Sequence, residues 1–276
     1  MMTDLIIAGA NSPSLPGLDL QIIMAYLANF FVSSLRIGAF MLAAPFFGSR
    51  WVPLQIRIIM SIALASAIAI KAPLLPIELM ASLQIIPIIM AEISIGLTAG
   101  LILSIFFGAA MLAGEKIASS SGLSYAAQID PNAGGQTPVV SQILYLFLMI
   151  VFVSIDGHLI AIRSMLESYR LMPVGFSPDP EVMVKAGIAA AGSMFFAATI
   201  IMVPITTILL FINTSIGIVT RAAPQLNLFS FGFPISLMGA FAILYFSADF
   251  LGSAMVNLTD EAIAHLHQMI GDMQHG

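Results

Sequence analysis

The chain predicts an all-α membrane protein, made of long broken helices and helical hairpins in about six apolar segments, and three observations predict it. Hydrophobic residues make up 59% of the 276 and charged residues only 8%, whereas soluble domains carry roughly 25% charged residues. Mean hydropathy is +1.04. Apolar runs recur at the length of about 20 residues that a helix needs to cross a bilayer. The net charge of -5 is small and scattered, which removes any electrostatic case for nucleic acid. Cysteine is absent, so neither disulfides nor thiolate metal sites contribute. The opening stretch, MMTDLIIAGANSPSLPGLDL, carries Asp4 and Asp19 but no basic residue. It lacks the n-region of a cleaved signal peptide, and the first apolar segment is expected to stay attached.

The first segment runs from 20 to 48 and holds one charge, Arg36, near its centre. The turn GSRWVP follows, with Arg50 and the only tryptophan, Trp51, a pairing that suits an interfacial anchor. A second segment, 54–75, carries Arg57 and Lys71 before the punctuation of Pro73 and Pro76. The third, 79–113, is too long for one upright crossing and contains Pro87 and Glu92. It either breaks near Pro87 or is one long helix that protrudes from the bilayer. After the central stretch, 114–138, a fourth segment covers 139–162 and includes Asp156, Gly157 and His158; the loop LMPVGFSPDPE separates it from the fifth, 186–220. The fifth is uncharged and divided by Pro204 and Asn213, so its length permits a kinked helix or a tight hairpin. A break at RAAPQLNLFSFGFP leads to the sixth, 235–256. In the tail, 257–276, Thr259, Asp260 and Glu261 read as a helix start, with Ile263, Leu266, Ile270 and Met273 on one face.

The central stretch, GEKIASSSGLSYAAQIDPNAGGQTP, is the longest polar interruption in the chain. Its charges, serines, Gly122, Asp130-Pro131 and Gly134-Gly135 forbid a lipid-facing helix. Such backbone is tolerated at membrane depth only against protein or around water. Arg36, Lys71, Glu92 and Asp156 should likewise face protein or water, because a central charge in an inserting helix costs about 2.5 to 3.5 kcal/mol. Two readings stay open for them: an ion or proton relay, and pairing between helices that fixes an assembly. Glu115 and Lys116 also fit a solvated helix end. Asp156 and His158, two residues apart, point to different helix faces and do not suit a metal. His265 and His267 share that spacing in the amphipathic tail and read as solvated. HExxH, GxSxG, GxxxxGK[ST] and a Cys nucleophile are all missing, so no enzyme and no cofactor is expected. The 18 methionines read as apolar filling, or as a compliant seal around a moving polypeptide. Lys/Arg bias gives no orientation: with one crossing for the third segment, Arg50, Arg57, Lys116 and Arg221 stand against Lys71, Arg163, Arg170 and Lys185.

Four blocks in order carry a family resemblance: Arg36 with AAPFFGSRWVPLQIRI, AGEKI with GLSYAAQIDPNAGGQTPV, DGHL with SYRLMPVG, and RAAPQLNLFSFGFPI. Over nearly the whole chain the sequence resembles the FliR family, the flagellar branch of the type III secretion export-gate membrane proteins, whose injectisome counterpart is the T-type inner-membrane subunit. The resemblance implies a fold like a fused P and Q export-gate subunit, raised largely out of the bilayer plane with segments broken at Pro87 and Pro204. It implies a place in the bacterial inner membrane at the flagellum basal body. A single copy would assemble with P and Q subunits, work with the B and A export components and an ATPase, and pass unfolded flagellar substrates. The family's plug loop falls on 121–137, so Gly122, Leu123, Tyr125, Gln128, Ile129, Asp130 and Pro131 become gating residues by implication. Tyr125 matches an aromatic of that plug, and Gln128 stands where enteric relatives have another. Arg36, Lys71, Glu92, Glu115, Lys116, Asp156 and Arg221 form the expected set of buried or assembly charges. The injectisome subunit is one alternative. A secondary transporter with inverted repeats is another, although the sequence shows no internal repeat, and a purely structural role is a third.

Overall fold

The structure, a computed structural model, describes residues 20–69, 82–122, 138–223, 225 and 231–275. Every regular element among them is helical. In chain order these are α1 (Leu20–Ala43), α2 (Leu54–Ala69), α3 (Ile85–Ser120), α4 (Val139–Ser154), α5 (Gly157–Leu171), α6 (Pro180–Ala222), α7 (Phe233–Phe246) and α8 (Ala248–His275).

Helix α3 is the spine, packed by α1, α4, α6 and α8. It is buried on more than one side, from Glu92 and Ile95 through Phe106 and Phe107 to Ile117 and Ala118. Small residues permit that crowding. Gly96 and Gly100, four apart, lie against α1 at the Arg36 carbonyl and at Ala43, the close backbone approach that Gly-x-x-x-Gly spacing allows between membrane helices. The Ser104 hydroxyl donates to the Ala43 carbonyl at 2.5 Å, satisfying one of the orphan acceptors at the end of α1. On the other side, Phe107 meets Phe152 and Tyr145 of α4 edge-on, with centroids 5.4 and 5.7 Å apart.

Prolines do not break the long segments. Pro87 is the third residue of α3, where its missing N–H would have had no partner in any case. Pro204 sits within α6, which continues past it as one 43-residue helix. The break expected at Pro204 is therefore absent, as is a hairpin within 186–220, while near Pro87 the helix begins after the turn at 82–84 and then runs unbroken to Ser120. Helix α6 starts on Asp179, whose carboxylate accepts from the Glu181 N–H at 2.9 Å, with Pro180 at the first position.

The sharp bends fall elsewhere. Helices α4 and α5 meet at 66°, and α7 and α8 at 64°. Asp156, at the first bend, has φ 58°, a left-handed conformation that Asp tolerates better than most residues. The expected segments 139–162 and 235–256 are thus each two helices. The helix start read at Thr259 is also displaced. That residue is buried inside α8 and its hydroxyl donates to the Met255 carbonyl at 3.0 Å. The tail is the continuation of α8, and Leu266, Ile270 and Met273 do bury the predicted face.

Among the described residues three helices are long and apolar enough to cross a membrane, or up to five if each bent pair is one span. The chain is a multi-pass membrane protein. At 1.5 Å per residue α3 is about 54 Å long and α6 about 65 Å, well beyond a hydrocarbon core of about 30 Å.

Candidate functional site

Arg36 on α1 and Glu92 on α3 are fully buried and face one another. Arg36 Nε donates to Glu92 Oε2 at 2.7 Å, and Nη2 donates to Oε1 at 3.0 Å. This two-pronged geometry is the strong form of the Arg–carboxylate pair. Two residues of α5 complete the node. The Ser168 hydroxyl accepts from Arg36 Nη1 at 3.1 Å and donates to the Met165 carbonyl at 2.7 Å. The Tyr169 ring lies 4.2 Å from the guanidinium carbon, a cation–π distance, and its hydroxyl donates to the Ser33 carbonyl at 2.5 Å. Beyond α5, the Gly175 N–H approaches Glu92 Oε1 at 3.4 Å. Both charges are thereby occupied by protein groups. Of the two readings left open by the sequence, this arrangement favours pairing between helices over a relay.

The node fixes one end of α3, and the central stretch leaves from the other. The helix continues through Gly114, Glu115 and Lys116 to Ser120, so the first part of the predicted loop is helical. Glu115 and Lys116 are exposed in its last turns. Ser121 N–H bonds to the Ile117 carbonyl, and Gly122 N–H to that of Ser119 at 3.2 Å. Gly122 has φ 82°, the left-handed cap that glycine adopts without a Cβ penalty. The returning chain is held as closely. A Cβ on Gly114 would lie 2.5 Å from the Cα of Ser141 in the first turn of α4. Residues 122 and 138 are thus both seated on α3 or beside it.

The remaining expected residues divide cleanly. Leu123, Tyr125, Gln128, Ile129, Asp130, Pro131 and Lys71 lie outside the described residues. Asp156 and Arg221 are exposed on this chain, so the burial expected of them, and of Glu115 and Lys116, is not supplied within it. Arg221 is in the last turn of α6, where a cation complements the helix dipole. His265 and His267 each have a hydroxyl partner; His267 is exposed, as read from the sequence, and His265 is half-buried. His265 Nε2 is 3.0 Å from the Ser193 hydroxyl on α6, and its ring stacks near Phe106 at 5.1 Å. His267 Nε2 is 2.6 Å from the Ser164 hydroxyl on α5. No group of three metal-capable side chains occurs among the described residues. Sequence reasoning missed Ser168 and Tyr169. The available signal was a Ser-Tyr pair on the apolar-facing side of a short helix, inside the block SYRLMPVG.

A family model described as bacterial export proteins, family 1, matches residues 27–262. Flagellar biosynthetic protein FliR of Pectobacterium carotovorum is 32% identical over 214 residues, covering 77% of this chain and 81% of that protein. FliR of Escherichia coli K12 is 29% identical over 250 residues, covering 88% and 95%. FliR of Bacillus subtilis is 28% identical over 248 residues, again 88% and 95%. With a match of that extent over the helices just described, the chain belongs to the bacterial export proteins of family 1, membrane proteins of flagellum biogenesis and protein export.

Proposed function

We propose that this chain is a subunit of the flagellar type III export gate in the bacterial inner membrane, at the flagellum basal body. With P and Q subunits it forms the entry channel for unfolded flagellar proteins, and its stretch 121–137 acts as a plug. The B and A export components and an ATPase supply the energy, since the chain has no nucleotide motif. The plug acts passively: at rest Leu123, Tyr125 and Ile129 seal the bore, with Gly122, Gln128, Asp130 and Pro131 shaping the turn, and an entering substrate displaces it.

One observation carries this reading. The polar stretch is delivered by the helix with the most buried residues among those described, and the chain on either side of it is seated at that helix's end. A surface loop of a transporter has no need of so firm a base. The excess length of α3 and α6 over a bilayer also supports an assembly raised from the membrane plane. Deleting Gly122 to Ala127 in the assembled complex tests the plug. The expected result is a channel that leaks potassium, measured by dye or electrode in vesicles, or one that no longer exports. An assembled complex that stayed ion-tight and export-competent with the deletion would overturn it.

A further inference from the structure

The last carbonyls of a helix have no partner within it; in α3 those of Ile117, Ala118 and Ser119 accept from Ser121 and Gly122, and that of Ser120 is met from α6. The Asn213 side-chain amide, in the last quarter of α6, donates from Nδ2 to the Ser120 carbonyl at 2.8 Å. Its Oδ1 accepts from the Ser236 hydroxyl of α7 at 2.8 Å. That hydroxyl is also 3.3 Å from the Ser121 carbonyl. It has one proton, so the shorter contact takes it, and Ser236 chiefly holds the Asn213 amide in its donating orientation. The relay therefore runs from Ser236 to Asn213 to the end of α3. It lines a cleft of about 580 Å³ with Ser119, Gly122, Gly217 and Phe233. The neighbouring hydroxyls of α6, Thr214 and Ser215, bond back to carbonyls of their own helix, whereas Asn213 reaches another element, and Ser236 is buried within an apolar α7. Two hydrogen-bonding side chains placed there have no evident role except this one.

We propose that Asn213 and Ser236 are positioning residues that clamp the end of α3 to the α6–α7 pair, so that the point where the chain leaves α3 moves with those two helices. The clamp stands on its own bonds. Only its consequence for ion leakage rests on the plug assigned above.

The absence of cysteine allows a clean test on the full chain in its assembled complex. Ser121 is fully buried, so an S121C variant reacts slowly with N-ethylmaleimide. Adding Asn213→Ala, or Asn213→Asp, which keeps the size but loses the donor, should raise that rate roughly tenfold by freeing the helix end. Ser236→Ala should raise it less, about threefold, since only the support of the amide is lost. Ala99→Cys, buried in the middle of α3, serves as reference and should not change. An unaltered S121C rate in the Asn213 variants overturns the clamp, and so does an equal rise at position 99, which would mean general loosening. Should the Asn213 variants fail to assemble, Ser236→Ala decides alone: a rise confined to position 121 supports the clamp and no rise overturns it. A raised rate at 121 with potassium leakage unchanged leaves the clamp standing and removes the plug.

Discussion

Arg36 and Glu92 compensate one another's charge at a place sealed from solvent. Removing one partner of a buried pair costs about 3 to 5 kcal/mol, because the survivor is left uncompensated, whereas replacing both with apolar residues is often neutral. Arg36→Ala and Glu92→Ala should each lower the thermal midpoint of the purified complex by several degrees. The double variant Arg36→Met/Glu92→Leu should recover most of that loss, and a double variant as unstable as the singles would show that the charges do more than pair. Tyr169→Phe removes one hydroxyl bond and leaves the ring under the guanidinium, so about 1 kcal/mol is expected from the same measurement. The cost of these charges was legible in the sequence, because an ionised side chain in an apolar run stands out. Their partnership was not, since Glu92 is 56 positions from Arg36 and Ser168 is 132 away. No local pattern spans such separations.

At the level of the helices, glycine positions on α3 separate contact from convenience. A methyl on Gly96 would strike the Arg36 carbonyl, whereas one on Gly108 meets nothing within 4 Å. Gly96→Ala should destabilise the complex by about 1 to 3 kcal/mol through overpacking. Gly108→Ala should be neutral or stabilise by up to about 1 kcal/mol, read from thermal unfolding of the two variants side by side. Helix existence was plain from hydropathy, but the positions of the bends were not. Proline is a strong breaker in principle, yet Pro87 lies in a first turn and Pro204 is carried within a long helix that neighbours support. The true bends, at Asp156 and Ser247, follow from left-handed or cap geometry that a hydropathy scan does not register. Asn213 illustrates the same limit: it reads as an interruption of an apolar run, and only the fold shows that it meets the end of α3.

Across the whole molecule, coverage is uneven. Just over half of the apolar window of α3 is buried, 56%, against 28% for α6. Phe195, Phe196, Leu210, Phe211 and Ile218 of α6, with Tyr245 and Phe246 at the end of α7, remain open on this chain. Exposed apolar area of that extent marks a lipid or subunit contact. Phe211→Glu should therefore reduce co-purification of P and Q subunits at least several-fold, while Glu181→Ala, which removes only an exposed ion pair with Lys185, should leave it unchanged. Equal recovery of the complex in both would mean that this face of α6 meets lipid alone.

The pairing of Arg36 with Glu92 also dictates an order of events during synthesis. Arg36 leaves the ribosome 56 residues ahead of its counter-charge, which at 5–20 residues per second is a wait of about 3 to 11 s. Through that interval α1 carries a cation with no anion to meet it, so the nascent chain must lodge it at the lipid surface or with a chaperoning insertase until α3 arrives. Any fragment that stops short of α3 never leaves this exposed condition, and quality-control proteases would meet it there.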